Sequence, residues 1–165
     1  MPNITEITAT FLDNLIESAE QDPRKRSGFP LTTPADPLQS ILIAIGREPY
    51  HRPQKHRDPD KSITISVLRG KINLLEFDPS NGNILDAFSI SKEGQLYAAH
   101  IPADTDYMVI STSGWSIFLE AISGPYDPSN HTQYSSWAPE EESDQVPTYL
   151  EEIRKQAALI ISDKI

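Results

Sequence analysis

Cysteine is absent from the 165 residues. That excludes disulfide staples, thiolate nucleophiles and thiolate metal ligands, so any chemistry must come from histidine, carboxylates or tyrosine. Positive charge is scarce: 14 Lys and Arg stand against 24 Asp and Glu, a formal net charge of −10. Such a surface repels phosphate backbones and anionic headgroups, so neither nucleic acid nor a membrane is an expected partner. The single basic cluster, Arg24-Lys25-Arg26, is read as a solvated loop or as salt-bridge donors rather than an anion site. Long apolar runs are missing as well, and no window approaches a membrane span. The opening MPNITEITATFLDNLIESAEQ has neither a basic n-region nor a continuous apolar stretch, so it is not read as a signal peptide. The expected location is cytoplasmic, where the sequons at Asn3 and Asn130 are chance matches.

What is present points to one globular domain with many turns. Hydrophobic residues make up 38% and charged residues 23% of the chain, and the prolines number 14, more than a helix bundle tolerates. Residues 1–22 carry Ile4, Ile7, Phe11, Leu15 and Ala19 at helical spacing, which predicts an amphipathic helix docked on a larger body. Residues 23–37 read as a proline-punctuated connector. From Leu38 to about Ile122 the pattern changes to short β-like runs: QSILIAIG, SITISVLRG, KINLLEFD, ILDAFSI, GQLYAAHIP, DYMVIST and WSIFLEAI. Asn81-Gly82, in the stretch from Asp78 to Asn83, supplies a hairpin turn that needs positive φ. Short strands at this spacing predict a sandwich or barrel.

Residues 123–165 hold a loop with two tyrosines and a tryptophan, part of which is expected to pack back on the body, and then a helix. Thr148 and Glu151 have capping-box spacing, and Leu150, Ile153, Ala157 and Ile160 form one apolar face. The run Glu140-Glu141-Glu142 reads as a solvated loop.

The stretch HRPQKHRDPDKSITISVLRG (51–70) raises the question of a metal site. Its histidine-bearing turn, alternating strand and Gly70, with the later His-Ile-Pro-Ala-Asp before another strand, resemble a cupin. DPRKR, TTPADPLQSILIAI, RPQKHR, VLRGKINLLEFD, and GPYDP followed by WAPEE resemble more narrowly the WbuC-type cupin fold metalloproteins, found among bacterial polysaccharide-biosynthesis genes. The resemblance covers about Asp22 to Glu152. It implies a mainly β fold: a single cupin (double-stranded β-helix, jelly-roll) barrel over 23–122, the N-terminal helix of 1–22 packed on it, and 123–165 as aromatic-containing loop and C-terminal helix.

The cupin metal motifs, placed on this chain, put the first two histidine positions at Gln54 and His56 and the glutamate position at Ile63. In the second motif Pro102 matches, the glycine position is Asp104 and the last histidine position is Tyr107. Only His56 keeps a good ligand, and an amide or a protonated phenol is a poor donor to a first-row metal. Alternation places Ile63, Ile65 and Val67 on the face where a carboxylate should stand. No metal is therefore expected, the alternative being one divalent transition metal in a rearranged site that draws on His51 or His100. His131 is read as exposed.

The expected ligand pocket is Gln54, His56, Ile63 and Tyr107, with Tyr97 or Trp115 near its mouth, suited to a neutral polyol, a sugar or a small oxo-compound. The alternative, that Ile63 and Tyr107 simply fill the barrel, stays open beside it. Two functions follow: a non-catalytic or accessory protein binding a small, sugar-like molecule, or a cupin isomerase, epimerase or oxygenase acting on a sugar or polysaccharide precursor. In a metal-free enzyme His56 serves as base and Tyr107 as acid, with Arg47, Arg52 and Arg57 as cations for a diphosphate. A homodimer is expected from the resemblance and the two amphipathic helices, with intramolecular docking of those helices as the alternative.

Overall fold

Alternating burial shapes the body of the molecule. In β4 (Ile63–Arg69) Ile63, Ile65 and Val67 are buried while Thr64 is exposed, so one strand face must find a partner surface. The computed structural model, which describes residues 4–56, 61–129 and 131–164, shows that surface to be a second sheet. One five-stranded sheet runs β1 (Arg26–Pro30), β2 (Leu38–Gly46), β9 (Trp115–Ser123), β4, β7 (Ala98–Ile101). The other runs β10 (Gln133–Tyr134), β3 (Gln54–Lys55), β8 (Asp106–Ser111), β5 (Lys71–Phe77), β6 (Ile84–Ser91). The strand pairs are antiparallel, and the two sheets close into a jelly-roll barrel.

Three apolar clusters hold the layers together. Between the sheets lie Ile45, Ile63, Ile65, Val67, Phe118, Ile122, Tyr107 and Val109 with their neighbours. Each fully buried aliphatic side chain there contributes about 1.5–3 kcal/mol. Outside the first sheet, Leu42, Ala44 and Ile117 meet Leu12, Leu15 and Ala19 of α1 (Ala9–Gln21). Outside the second, Leu75, Ala87, Met108 and Ile110 meet Leu150, Ile153 and Ala157 of α2 (Val146–Ser162). Strands such as β8, buried at every position, are therefore covered on both faces.

Several boundaries differ from the sequence expectation. The first helix starts only at Ala9, capped by the Thr8 hydroxyl, which accepts from the Phe11 amide at 3.2 Å. Ile4 and Ile7 are exposed outside it, and the buried stripe is Leu12, Leu15 and Ala19. The connector holds β1, which pairs with β2 from Arg26↔Ile45 to Pro30↔Ile41. The barrel does not stop at Ile122, since β10 joins the second sheet. Helix α2 begins at Val146, two residues before Thr148, with proline in its first turn, so the capping box does not form. The 78–83 hairpin turns through Gly82 at φ 75°. A Cβ there would lie 2.4 Å from the Trp137 ring, because the post-barrel segment folds back and sets Trp137 on Phe77, centroids 5.1 Å apart. Asn3, Arg57 and Asn130 lie outside the described residues.

Candidate functional site

The resemblance residues Gln54, His56 and Tyr107 meet. Strand pairing sets Gln54 opposite Tyr107, and Gln54 Nε2 donates to Tyr107 Oη at 3.2 Å. His56 Nε2 lies 3.2 Å from the same hydroxyl, and its Nδ1 donates to the His131 carbonyl in a short contact. Because a carbonyl only accepts, Nδ1 carries the proton, Nε2 accepts, and the phenol donates to it. The result is a closed chain from the Gln54 amide through Tyr107 and His56 to the His131 carbonyl. Burial lowers the His56 pKa, with the His131 hydrogen bond opposing and Lys61 assisting, so the ring stays neutral. Burial raises Tyr107 well above the ordinary phenol range; Glu120 adds to this and the Gln54 hydrogen bond works against it.

That arrangement does not fit a cupin metal. Both nitrogens of His56 are engaged, Gln54 turns its amide nitrogen to Tyr107, and Ile63 is core, 2% exposed between Ile101 and Ile122. His100 faces away on the exposed side of β7, its Nδ1 3.3 Å from the Thr64 hydroxyl, and joins neither His51 nor His56. Among the described residues no three His, Cys, Asp or Glu side chains are grouped to hold a metal ion. Tyr97 is 62% exposed and Trp115 packs beside α1, so neither is at the pocket.

The open space lies elsewhere. Between the sheets, on the flank where β1 faces β10, a cavity of about 170 Å³ is lined by Arg26, Ile43, His51, Arg52, Gln54, Tyr107, Glu120, Tyr134 and Glu141, among others. Ile43 and Glu120 also line an adjoining cavity of about 380 Å³ walled by Pro30, Pro34, Ile41, Ile122, Tyr126 and His131. Tyr107 and Gln54 form the inner wall of this cleft, while His56 and Ile63 are buried behind it.

Glu120 was not visible as a site residue in the sequence. It pairs with Ile41 on one side and Ile65 on the other, on the inward face with Phe118 and Ile122. Burial alone pushes its carboxyl up to about 7, and it has no hydrogen-bond or ion-pair partner among the described residues. Around it, Arg26 Nη2 donates to both Glu141 oxygens at 2.9 and 3.1 Å; the 140–142 run is the exposed loop expected, and from it Glu141 reaches the mouth of the cleft. Arg52 donates through Nη2 to the Ser135 carbonyl at 3.2 Å and lies over the Tyr134 ring, 5.4 Å from its centroid. Its Nε, His51 Nε2 and His131 Nδ1 are buried without a hydrogen-bond partner among the described residues. His51 is held neutral, its pKa down at about 3, by burial and then by Arg26 and Arg24. His131 is not exposed: its ring sits 4.6 Å from His56 and 4.7 Å from Tyr126. Arg47 is an exposed loop residue whose carbonyl takes a short hydrogen bond from Arg154.

The GPYDP and TTPADPLQ stretches build the rim. The Gly124 amide donates to the Pro37 carbonyl and the Tyr126 amide to that of Pro34, both at 2.8 Å, and Lys61 donates to the Pro125 carbonyl at 3.1 Å. A Cβ on Gly124 would lie 2.1 Å from the Asp36 carbonyl oxygen, so only glycine allows this approach.

The profile of one family, described as a domain of unknown function (DUF6016), matches residues 7–90, just over half of the chain. The chain belongs to that family. No curated protein matches it. Among solved structures, the capsular polysaccharide assembling protein CapF from Staphylococcus aureus is similar at 17% identity and a TM-score of 0.57, over 68% of this chain and 32% of that one. CapF with the inhibitor 3-isopropenyl-tropolone is similar at 16% and 0.58, with the same coverage. A protein from Shewanella oneidensis is similar at 9% and 0.56, over 74% of this chain and 82% of that one. The chain thus spans about a third of the CapF length. At these identities the likeness shows the fold, a cupin-type jelly-roll barrel. No helix among the described residues is long and apolar enough to cross a membrane.

Proposed function

We propose that this cupin-domain protein is of the WbuC type and binds a small, sugar-like molecule in the cleft between β1 and β10, without the usual cupin metal set. One observation carries the reading: side-chain donors and acceptors of Arg52, His51, Gln54 and Glu120 converge on a cavity floored by Ile43 and Val109. A few polar groups on an apolar floor are the chemistry of small-ligand recognition. The volume, about 170 Å³, suits something no larger than a hexose. Saturation-transfer NMR on the full chain with hexoses, polyols and small oxo-compounds tests it. Saturable signals that vanish in Glu120→Leu and persist in the exposed His100→Ala are expected; no signal from this panel or from the corresponding sugar acids contradicts the reading.

A second reading, an isomerase or epimerase on a sugar or polysaccharide precursor, is favoured by the Glu120 carboxyl. With a pKa of about 7 it can accept and return a proton near neutrality, which the enclosed His56–Tyr107 pair is less placed to do. Deuterium wash-in from D2O at a carbon beside a carbonyl, lost in Glu120→Gln, is the expected signature.

A further inference from the structure

The cleft concentrates unmatched polar atoms in a way the rest of the barrel does not. Buried side-chain groups are nearly always hydrogen-bonded, and an unmatched one at a cavity wall marks where a partner docks. Of the walls of the smaller cavity, Arg52 Nε and His51 Nε2 are buried without a hydrogen-bond partner among the described residues, and the half-buried Glu120 carboxyl has none there either. Their charges do not balance. Arg26 and Glu141 neutralise one another through the bidentate contact, and His51 is neutral. Among the described residues Arg52 has no carboxylate partner, since its contacts are a carbonyl and an aromatic face. A neutral polyol would leave that guanidinium uncompensated.

We propose, resting on the binding reading above, that the ligand is a small hydroxylated monocarboxylate: a hydroxy acid or sugar acid whose carboxylate lies on Arg52 and whose hydroxyls lie on Glu120, His51 and Gln54. A carboxylate accepting from Arg52 Nε–H is the charge-assisted bond the site lacks. A protonated Glu120 completes it as a donor. The anion then stabilises the protonated carboxyl, so binding takes up a proton at Glu120.

The groups that face Glu120 identify it as the source of any pH dependence. From β1 comes Arg26, from the 47–53 loop His51 and Arg52, from β8 Tyr107, from β10 Tyr134, and from the post-barrel segment Tyr126, His131 and Glu141. His51 and His131 stay neutral above pH 5 with values of about 3 and 4, and Tyr107 stays protonated. A hydroxy acid is an anion throughout the range from pH 6 to 8. Glu120, at about 7, changes charge there.

The test is calorimetric titration of the full chain with matched pairs: glycolate against ethylene glycol, D-glycerate against glycerol, D-gluconate against sorbitol, each at pH 6 and pH 8. The acid of at least one pair is expected to bind roughly tenfold or more tighter than its alcohol. Its affinity should fall by up to about tenfold per pH unit above 7, with buffer-dependent heats reporting proton uptake. In Glu120→Gln that pH dependence should vanish, and in Arg52→Gln the preference for the acid should vanish. Equal or tighter binding of the alcohols overturns the monocarboxylate and leaves the sugar-like site standing. Acid binding that does not change between pH 6 and 8 overturns the role of Glu120. If neither acids nor alcohols bind while the hexoses and oxo-compounds above do, the inference fails alone; if nothing binds, both fail.

Discussion

The two flanks of the barrel differ in what their strands turn inward. On the flank where β6 meets β7, a cavity of about 230 Å³ is walled by Leu74, Phe88, Leu96, Ala99 and Ile101. On the flank where β1 meets β10, Arg26, His51, Arg52 and Glu120 line the cleft and Glu141 its mouth. Tyr107 belongs to both walls. Held by Gln54 and His56, it is the partition between a mostly apolar flank, where Glu76, His100 and Thr105 are the other polar residues of the lining, and a flank rich in charged groups. Of the resemblance residues of the cupin metal motif, Gln54, His56 and Tyr107 lie in this partition and Ile63 in the core, while the charged side chains of the cleft lie one layer outward, on β9, β1 and the loops.

The contrast can be broken most severely at its core. Phe118, fully buried among inward residues of both sheets, should lose about 3–5 kcal/mol on Phe118→Ala. Denaturant unfolding measures this, and a cost below about 1 kcal/mol would mean that the interior is not packed as described.

The next effect separates the flanks by pH. Glu120, at about 7 in the fold against an ordinary carboxyl range near 4.5, is raised. The stability it contributes is complete below about pH 4.5 and is lost as pH rises through 7, an upper bound of about 3 kcal/mol. His51, lowered to about 3, acts oppositely: its contribution is complete above about 6.5 and is lost as pH falls towards 3. Between pH 4.5 and 6.5 the two oppose each other. Glu120→Gln should remove one arm, steepening the acid side and removing the decline between 6.5 and 7. Unfolding free energies from pH 4 to 8 check this, and identical profiles for the two proteins would contradict the buried-carboxyl account.

A smaller effect concerns the cleft mouth. Arg26 and Glu141, with side chains 18% and 33% exposed, are only partly desolvated, so Arg26→Met should cost about 1 kcal/mol. It should also weaken cleft ligands, and both unfolding and titration read it.

How much of this was legible in the sequence depends on the range over which each signal acts. Seven strands were readable because their alternation and turns are local, and Asn81-Gly82 announced its hairpin through the need for positive φ. Strands β3 and β10, two residues each, carry no periodicity. Strand β1 hid among prolines and is held by β2 rather than by its own pattern. Glu120 was masked because β9 is apolar on both faces: Phe118 and Ile122 pack inward, while Ile117 packs against α1. A lone carboxylate there did not reveal which face it shared. The Arg26–Glu141 contact joins residues 115 apart, beyond the reach of any local pattern. His51 and His131 looked like loop histidines, and only the fold brings them to the cleft walls.

The most direct test of the account is a methyl-NMR titration of isoleucine-labelled protein with the hydroxy acids and sugars above. Ile41, Ile43 and Ile122 line the β1–β10 flank, and Ile101 lines the β6–β7 flank. Saturable shifts at Ile43 and its neighbours, with Ile101 silent, are the predicted result; shifts centred on Ile101, with Ile43 unmoved, would contradict it.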